Sequence, residues 1–373
     1  TNSLKYDFAV QRGKPKDVLP LWVADMDFQV SSYIQEALSG SVAHGIFGYS
    51  EAEGSYFEAV AGWMSRHYGW NVEETWLVKT PGIVFALAQA VRAFTEPGDA
   101  VLLQQPVYYP FSQVIRDNCR KIVDNTLVQG EDGRYRIDFA DFEEKIRSCK
   151  VKLFFLCNPH NPVGRVWTRE ELLRLGDICE KYGVIVVSDE IHADFVFEGS
   201  HQVLVGLKES YRKFVVTCTA PSKTFNLAGL QVSNIFIPDD ALRRKFEQAV
   251  AASGYSQLNT MGLVACEAAY RYGEEWYDAV KAYIRENLAY AQHFLEEQIP
   301  QVKTVKPEGT YLLWVDFRSL GLSRKELEEL IVKKAGLWLD SGDIFERINV
   351  ACPRSVLTEA LERLARAVRE CVK

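Results

Sequence analysis

The stretch VKLFFLCNPHNPVGRVWTREELLRLGDICEKYGVIVVSDEIH, residues 151–192, contains a complete strand–loop–helix–strand unit. Residues 152–157 form a short apolar run followed by turn residues, which is typical of a strand buried on both faces. A capping box of Thr168 and Glu171 predicts the start of an amphipathic helix. A glycine ends this helix, and a second apolar strand over residues 184–188 follows at once. This alternation predicts an α/β domain with a mostly parallel sheet.

The same pattern continues on both sides of this stretch. Further strands are predicted at residues 76–79, 101–105, 214–219 and 234–237. A helix is predicted to open at Pro81-Gly82 and to run to about Phe94. Ligands of such sheets bind where strands end and loops begin.

The last third of the chain has a different pattern. It shows a long helical stretch from about Glu275 to Glu297, a strand-like segment at 311–317, and a second capping box beginning at Ser323. We therefore expect a large domain over residues 36–275 and a smaller α+β domain formed by residues 1–35 and 276–373.

Composition excludes several classes of protein. The 373 residues carry a net charge of −7 and no Lys/Arg run, so nothing indicates a nucleic-acid partner. No apolar stretch approaches the roughly 18–20 residues of a membrane span, and the first residues lack the apolar core of a signal peptide. The eight cysteines form no CxxC motif. We expect reduced thiols in a cytoplasmic protein, with no metal site.

Lys223 follows the predicted strand that ends near Thr219, within the segment SKTFN. A lysine at such a place can be no more than a solvated loop residue. It can also be an amine that forms an imine with an aldehyde cofactor, which requires a partly desolvated lysine of lowered pKa. The segment by itself leaves both interpretations open.

The segment SDEIH, residues 188–192, follows another buried strand. Acidic residues after a strand often cap the next element. A pyridinium cofactor, however, needs a buried carboxylate near its ring nitrogen, because that carboxylate keeps the ring protonated and able to accept electrons from a carbanion. Both interpretations apply to this segment.

Two further segments contain turn chemistry. NPHNPVG, residues 158–164, holds two Asn-Pro pairs, which indicate a rigid loop or a place from which an asparagine amide can donate to a phenolic oxygen. Pro81-Gly82-Ile83-Val84 opens a helix, whose free amides and dipole favour a phosphate.

Together these segments resemble a known family. In chain order, NPHNPVG, SDEIH, SKTFNLAG and RINVACPRS are similar to the fold-type I aminotransferase superfamily of pyridoxal 5'-phosphate (PLP) enzymes. LPLWVADMDF, HGIFGYS and TPGIVFAL narrow the resemblance to the branch that includes bacterial cystathionine β-lyases of the MalY/PatB kind. The resemblance covers nearly the whole chain. It implies the PLP-dependent transferase-like fold type I, with a large PLP-binding domain and a smaller domain.

The resemblance also implies roles for individual residues. Lys223 holds PLP as a Schiff base and then acts as the general base at Cα. Asp189 pairs with the pyridine nitrogen, Asn161 donates to the phenolic oxygen, and Tyr108 stacks on the cofactor ring. The Asn161–Pro162 bond is expected to be cis, because relatives use that bond to aim the asparagine.

The remaining implied roles concern the phosphate and the substrate. The phosphate is held by the Ser222 hydroxyl, by Tyr49 reaching across a homodimer interface, and by the amides of Gly82, Ile83 and Val84. Arg347 binds the substrate α-carboxylate as a bidentate pair, with Asn161 beside it.

The sequence departs from the family pattern at three places. Gln231 stands where many aminotransferases have a basic residue that contacts the phosphate, so the phosphate depends on neutral donors. His192 stands where many have a tyrosine; it is placed with the cofactor-binding residues, but its role stays open. The segment SGDIFE, residues 341–346, is short where relatives carry a Gly-rich loop before the arginine.

The expected reaction is α,β-elimination on L-cystathionine or related S-substituted cysteines, which yields a thiol, pyruvate and ammonia. This expectation comes from the resemblance, since no residue distinguishes elimination from transamination on chemical grounds. A PLP-dependent aminotransferase is the first alternative. A regulatory or interaction protein on a PLP fold is the second, although the intact lysine, aspartate and arginine argue against it.

Overall fold

Seven short strands form the central sheet of the computed structural model, which describes residues 1–371. In chain order they are β1 (Leu77–Thr80), β2 (Ala100–Leu103), β3 (Lys121–Asp124), β4 (Leu153–Cys157), β5 (Ile185–Asp189), β6 (Val215–Thr219) and β7 (Ser233–Phe236). Their order across the sheet is β1-β7-β6-β5-β4-β2-β3. Consecutive strands therefore are not always neighbours, and helical connections cross the sheet between them.

Most of this sheet is parallel, as predicted. β3, β2, β4, β5 and β6 pair with one another in parallel, whereas β7 is antiparallel to both β6 and β1. Every residue of β4 and of β6 is buried, which explains why their sequences LFFLC and VVTCT are apolar on both faces. The expected α/β architecture with a mostly parallel sheet is confirmed.

The chain divides into two compact units. The larger unit comprises Val30–Asn161 and Arg165–Asp278, and it contains the seven-stranded sheet. The smaller unit comprises Thr1–Gln29, Pro162–Gly164 and Ala279–Lys373.

Helices of the larger unit connect and cover the strands. They are Ser32–His44, Gly54–Tyr68, Ile83–Phe94, Pro110–Asp117, Phe139–Cys149, Arg169–Tyr182, Pro221–Thr224, Asp240–Ala252 and Thr260–Tyr272. Helix Arg169–Tyr182 begins with the predicted capping box and ends at a glycine with φ of 67°. The main apolar core packs helices Ile83–Phe94 and Asp240–Ala252 against the strands, with Leu87, Phe155 and Phe246 among its fully buried residues.

The smaller unit has its own antiparallel sheet. Its strands are β8 (Lys303–Thr304), β9 (Leu312–Asp316), β10 (Asp340–Gly342) and β11 (Phe345–Asn349), in the order β8-β9-β11-β10. Leu19–Pro20 pairs in parallel with Leu337–Trp338. The long helix Glu274–Gln298 crosses the boundary in sequence between the units, and Arg324–Glu328, the π-helical turn Glu329–Lys334 and Arg354–Cys371 complete the helices.

One backbone prediction is wrong. Within residues 1–371 the cis peptide bonds are Gln105–Pro106 and Asn158–Pro159, so the Asn161–Pro162 bond is trans. The main chain of Asn161 is held in another way: its carbonyl accepts from the Tyr108 amide at 3.1 Å, and its amide contacts the Cys157 thiol at 3.4 Å. The first Asn-Pro pair, rather than the second, supplies the cis bond of this loop.

Residues 1–371 hold neither a candidate membrane span nor a candidate metal cluster. No helix there combines the length and the hydropathy that crossing a membrane requires. No group of three or more His, Cys, Asp or Glu side chains in the same range is arranged to hold a metal ion.

Candidate active site

Four predicted site residues lie at the carboxyl ends of four adjacent parallel strands. Asp189 is the last residue of β5, and Lys223 comes shortly after β6. Asn161 comes after β4, and Tyr108 comes after β2. Because β6, β5, β4 and β2 are successive neighbours that run in the same direction, their ends lie along one edge of the sheet. The structure therefore brings these four residues to the same edge.

Lys223 lies in the one-turn helix Pro221–Thr224, and it is half-buried. The turn begins with a proline at its first position, which suits the fixed φ of that residue. Two main-chain hydrogen bonds close it: Phe225 N–H donates to Pro221 O at 2.9 Å, and Leu227 N–H donates to Ser222 O at 3.2 Å. The amine is thus carried by a short, hydrogen-bonded segment rather than by an open loop.

Asp189 is buried, and burial raises the pKa of its carboxyl group from 3.8 to about 7. Two contacts lower the pKa in part, namely the Ile191 amide, which donates to Oδ1 at 3.2 Å, and the positive charge of Lys223. The Glu190 carboxylate raises it further. Charge on Asp189 therefore depends on nearby cations, and a protonated pyridine nitrogen is a cation of the required kind.

Glu190, beside Asp189, has a structural role. Its buried carboxylate accepts from the Ser188 hydroxyl at 2.8 Å and from the Leu204 amide at 3.3 Å, and it pairs with His201 Nε2 at 2.8 Å. These contacts tie the end of β5 to the segment that follows it. His192 is also buried.

The loop after β4 places Asn161 and a second histidine. His160 is fully buried, and burial lowers the pKa of its imidazole to about 4. The Nε2–H group of this neutral ring donates a hydrogen bond to Pro106 O at 2.9 Å. Together with the Tyr108 N–H···O=C Asn161 bond, this contact ties the loop after β4 to the loop after β2.

Gly82 opens the helix Ile83–Phe94 with φ of 137°, which favours glycine. Its amide donates to the hydroxyl oxygen of Ser233 at 3.1 Å, and that hydroxyl lies 2.7 Å from the Thr80 hydroxyl. The turn is therefore held from the neighbouring strand β7. Beyond Gly82, the first-turn amides of Ile83 and Val84 are those that an α-helix leaves without an internal partner.

Tyr49 has 98% of its surface exposed. It lines a cleft of about 520 Å³ whose wall also includes Pro81, Gln231, Tyr255 and Thr260. Gln231 is exposed and has a positive φ of 48°. The cleft thus lies beside Pro81, which precedes the Gly82 turn, and beside Gln231.

Arg347 belongs to the smaller unit and lies on β11. Its buried guanidinium donates through Nη2 to Trp22 O at 2.8 Å and pairs with the Asp340 carboxylate at 2.5 Å. Burial raises the pKa of Asp340, and Arg347 counteracts this effect. The short segment before Arg347 forms the hairpin between β10 and β11.

Sequence reasoning missed Ser233 and Asp194. Ser233 belongs to no recognisable motif. A serine at the start of a strand is common, so nothing in the sequence was a reason to select it. Asp194 is a buried carboxylate in the otherwise apolar run ADFVF, and an ionisable residue in such a run is a signal that would have identified it.

The donor set suits a phosphorylated aldehyde cofactor. A half-buried primary amine can condense with an aldehyde, and a buried carboxylate of raised pKa can pair with a ring N–H. A glycine turn before a twelve-residue helix can receive a phosphate. The residues present in the larger unit therefore fit PLP.

Comparison with known proteins leads to the same family. Residues 16–364 match the family model described as aminotransferase class I and II. Cystathionine beta-lyase PatB of Bacillus subtilis is 44% identical over 99% of this chain and 97% of its own length, and protein MalY of Escherichia coli is 30% identical over 98% and 95%. The crystal structure of cystalysin from Treponema denticola, described as containing a pyridoxal 5'-phosphate cofactor, superposes with a TM-score of 0.95 at 37% identity and covers 100% of this chain and 96% of its own. The chain therefore belongs to the class I and II aminotransferase family, in the branch that contains PatB and MalY.

Proposed function

We propose that the chain is a PLP-dependent carbon–sulfur β-lyase that carries out α,β-elimination on L-cystathionine or related S-substituted cysteines. The products are a thiol, pyruvate and ammonia. The observation that carries the proposal is the placement of Lys223 and buried Asp189 at the ends of adjacent strands, in a chain 44% identical to a protein named cystathionine beta-lyase.

When PLP is bound, it supplies an electron sink for the negative charge that develops at the substrate Cα. Lys223 would hold the cofactor covalently, and after the substrate amino group has displaced it, its free Nζ would accept the Cα proton. Asp189 would keep the pyridine nitrogen protonated. Asn161 would donate to the phenolic oxygen of the cofactor, and Tyr108 would stack on the cofactor ring.

Other residues of the chain bind the two charged ends. Ile83 and Val84 offer main-chain amides to the phosphate, and Gly82 opens the turn that presents them, since its own amide donates to Ser233. The hydroxyls of Ser222 and Tyr49 add neutral donors. Arg347 receives the substrate α-carboxylate. A thiolate needs no strong acid to depart, because a thiol of pKa about 8.5 is a fair leaving group near neutral pH.

We assign cofactor binding to a large domain over residues 36–275 and the substrate arginine to a small domain over residues 1–35 and 276–373. We also propose a homodimer that works in the cytoplasm. An exposed apolar patch of Val42, Ile46, Phe47 and Tyr49 supports the dimer, since 59–98% of each of these side chains is open to solvent. All eight cysteines are free, which supports a reducing compartment.

A pyruvate assay coupled to lactate dehydrogenase tests the reaction. L-cystathionine, L-cysteine and L-alanine are supplied to the PLP-loaded protein with no keto acid present. A lyase releases pyruvate from the two sulfur substrates and none from alanine. If the protein releases no pyruvate from either sulfur substrate but transfers amino groups once a keto acid is added, it is an aminotransferase instead.

A further inference from the structure

Asp194 is a buried carboxylate that accepts hydrogen bonds from three side chains of the larger unit. Trp63 Nε1 donates to Oδ1 at 3.0 Å, the Tyr68 hydroxyl donates to the same oxygen, and the Thr224 hydroxyl donates to Oδ2. The Asp194 carbonyl also accepts from the Tyr277 hydroxyl at 2.6 Å. Asp194 thus joins the helix Gly54–Tyr68, the turn Pro221–Thr224 and the start of the helix Glu274–Gln298 to the loop after β5.

Each of the three side chains around Asp194 can donate a hydrogen bond to its carboxylate. An indole N–H can only donate, and burial together with the Asp194 carboxylate raises the pKa of the Tyr68 phenol well above its usual value, so this phenol is protonated. Thr224 has no exposed surface, and its hydroxyl points into the same cluster. Hydrogen bonds to an ionised carboxylate are about twice as strong as bonds between neutral groups.

The position of this cluster in the chain gives it a consequence for the cofactor. Asp194 lies five residues after Asp189 on the same loop, and Thr224 is the residue after Lys223. The Thr224–Asp194 bond therefore links the segment that holds the carboxylate for the ring nitrogen to the segment that holds the amine.

A purely stabilising role is a poor explanation for a carboxylate here. Burying a charge is costly, and buried charged groups can often be replaced by well-packed apolar side chains without loss of stability. Trp63, Phe225, Tyr270 and Tyr277 already form a ring cluster that could close around an apolar residue. A carboxylate, unlike an apolar side chain, accepts a directional hydrogen bond from Thr224, and such a bond can fix the orientation of the turn Pro221–Thr224.

We propose that Asp194, acting through Thr224, is a positioning residue that holds the Lys223 turn in register with Asp189. The inference depends on the proposed function, in which Lys223 both carries the cofactor and takes the Cα proton. An error of about 1 Å in the place of a catalytic group can cost about 100-fold in rate. The expected signature is a loss in kcat with little change in KM, because Arg347, which receives the substrate carboxylate, lies outside the Lys223 turn.

Three substitutions at matched sites test the proposal in the PLP-loaded protein. Thr224→Val removes the hydroxyl and keeps the shape, and Thr224→Ser keeps the hydroxyl. Thr217→Val makes the same change at a fully buried threonine on β6 whose hydroxyl has no hydrogen-bond partner in the described residues. We measure kcat and KM for pyruvate release from L-cystathionine. We also measure the fraction of PLP that a short borohydride pulse fixes to Lys223, read from the mass of the labelled peptide.

We expect Thr224→Val to lower kcat about 10- to 100-fold with KM within about twofold, and the trapped fraction to fall with it. Thr224→Ser should restore both, and Thr217→Val should leave both as in the unmodified protein. A Thr224→Val protein that melts at a lower temperature but keeps its kcat and its trapped fraction would overturn the proposal. If Thr224→Val does not fold, Asp194→Asn decides by the same two measurements.

The trapping measurement separates this inference from the proposed reaction. If the unmodified protein releases no pyruvate, the lyase assignment fails, yet the comparison of trapped PLP across the three variants still tests the positioning of Lys223. Equal trapping in Thr224→Val and in the unmodified protein would then refute the inference alone.

Discussion

Replacing Asp189 with asparagine should make the PLP-free protein more stable at pH 8, because the buried carboxyl group has a raised pKa. The folded protein holds this proton up to about pH 7, whereas the unfolded chain releases it near pH 3.8. Between these values the folded state binds more protons than the unfolded state, so the free energy of unfolding falls as the pH rises. A shift of about 3 pKa units at 1.36 kcal/mol each corresponds to about 4 kcal/mol, fully expressed above pH 7 and absent below about pH 4.

Urea unfolding of the PLP-free proteins at pH 4, 6 and 8 measures this difference. Asp189→Asn should match the unmodified protein at pH 4 and exceed it by up to about 4 kcal/mol at pH 8. Adding saturating PLP should reduce or reverse the advantage, since a ligand that pairs with Asp189 in the folded state stabilises only the unmodified protein through that contact. A stability difference that is the same at all three pH values would refute the assignment of a raised pKa to Asp189.

Four further outcomes are expected. Lys223→Ala should lose both turnover and borohydride-trappable PLP, and trapping at another lysine would contradict the assignment. Arg347→Lys should raise KM for L-cystathionine by about 10-fold or more, because an ammonium cannot form the bidentate pair. Arg318→Lys, at an exposed arginine that pairs with Asp316, should leave KM unchanged. Tyr49→Ala should weaken PLP binding by about 10-fold, the size of one lost hydrogen bond. Sedimentation should show a dimer, and an active monomer would exclude a role for Tyr49 across an interface.

Local signals in the sequence were enough for most elements and made the main site residues candidates, whereas the roles of those residues came from the family resemblance. The capping box at Thr168 and the apolar runs at β4, β5 and β6 each depend on interactions within a few residues, so they can be recognised from sequence alone. Lys223 and Asp189 could be singled out because each follows such a run. The trans bond at Asn161–Pro162 was mispredicted, since either of two Asn-Pro pairs in one loop can be cis and neighbouring loops decide between them.

Strand order and long-range hydrogen bonds could not be derived from the sequence. The neighbours β6, β5, β4 and β2, and the antiparallel direction of β7, depend on which strands pair across the chain. The hydrogen bond from the Gly82 amide to Ser233 joins residues 151 positions apart. The hydrogen bond from the Trp63 indole to Asp194 joins residues 131 positions apart. The sequence by itself determined which residue types stand at the strand ends, because strands and turns are local. Tertiary structure alone decided which of those ends meet and which buried carboxylate joins them, because these contacts form only when distant segments pack together.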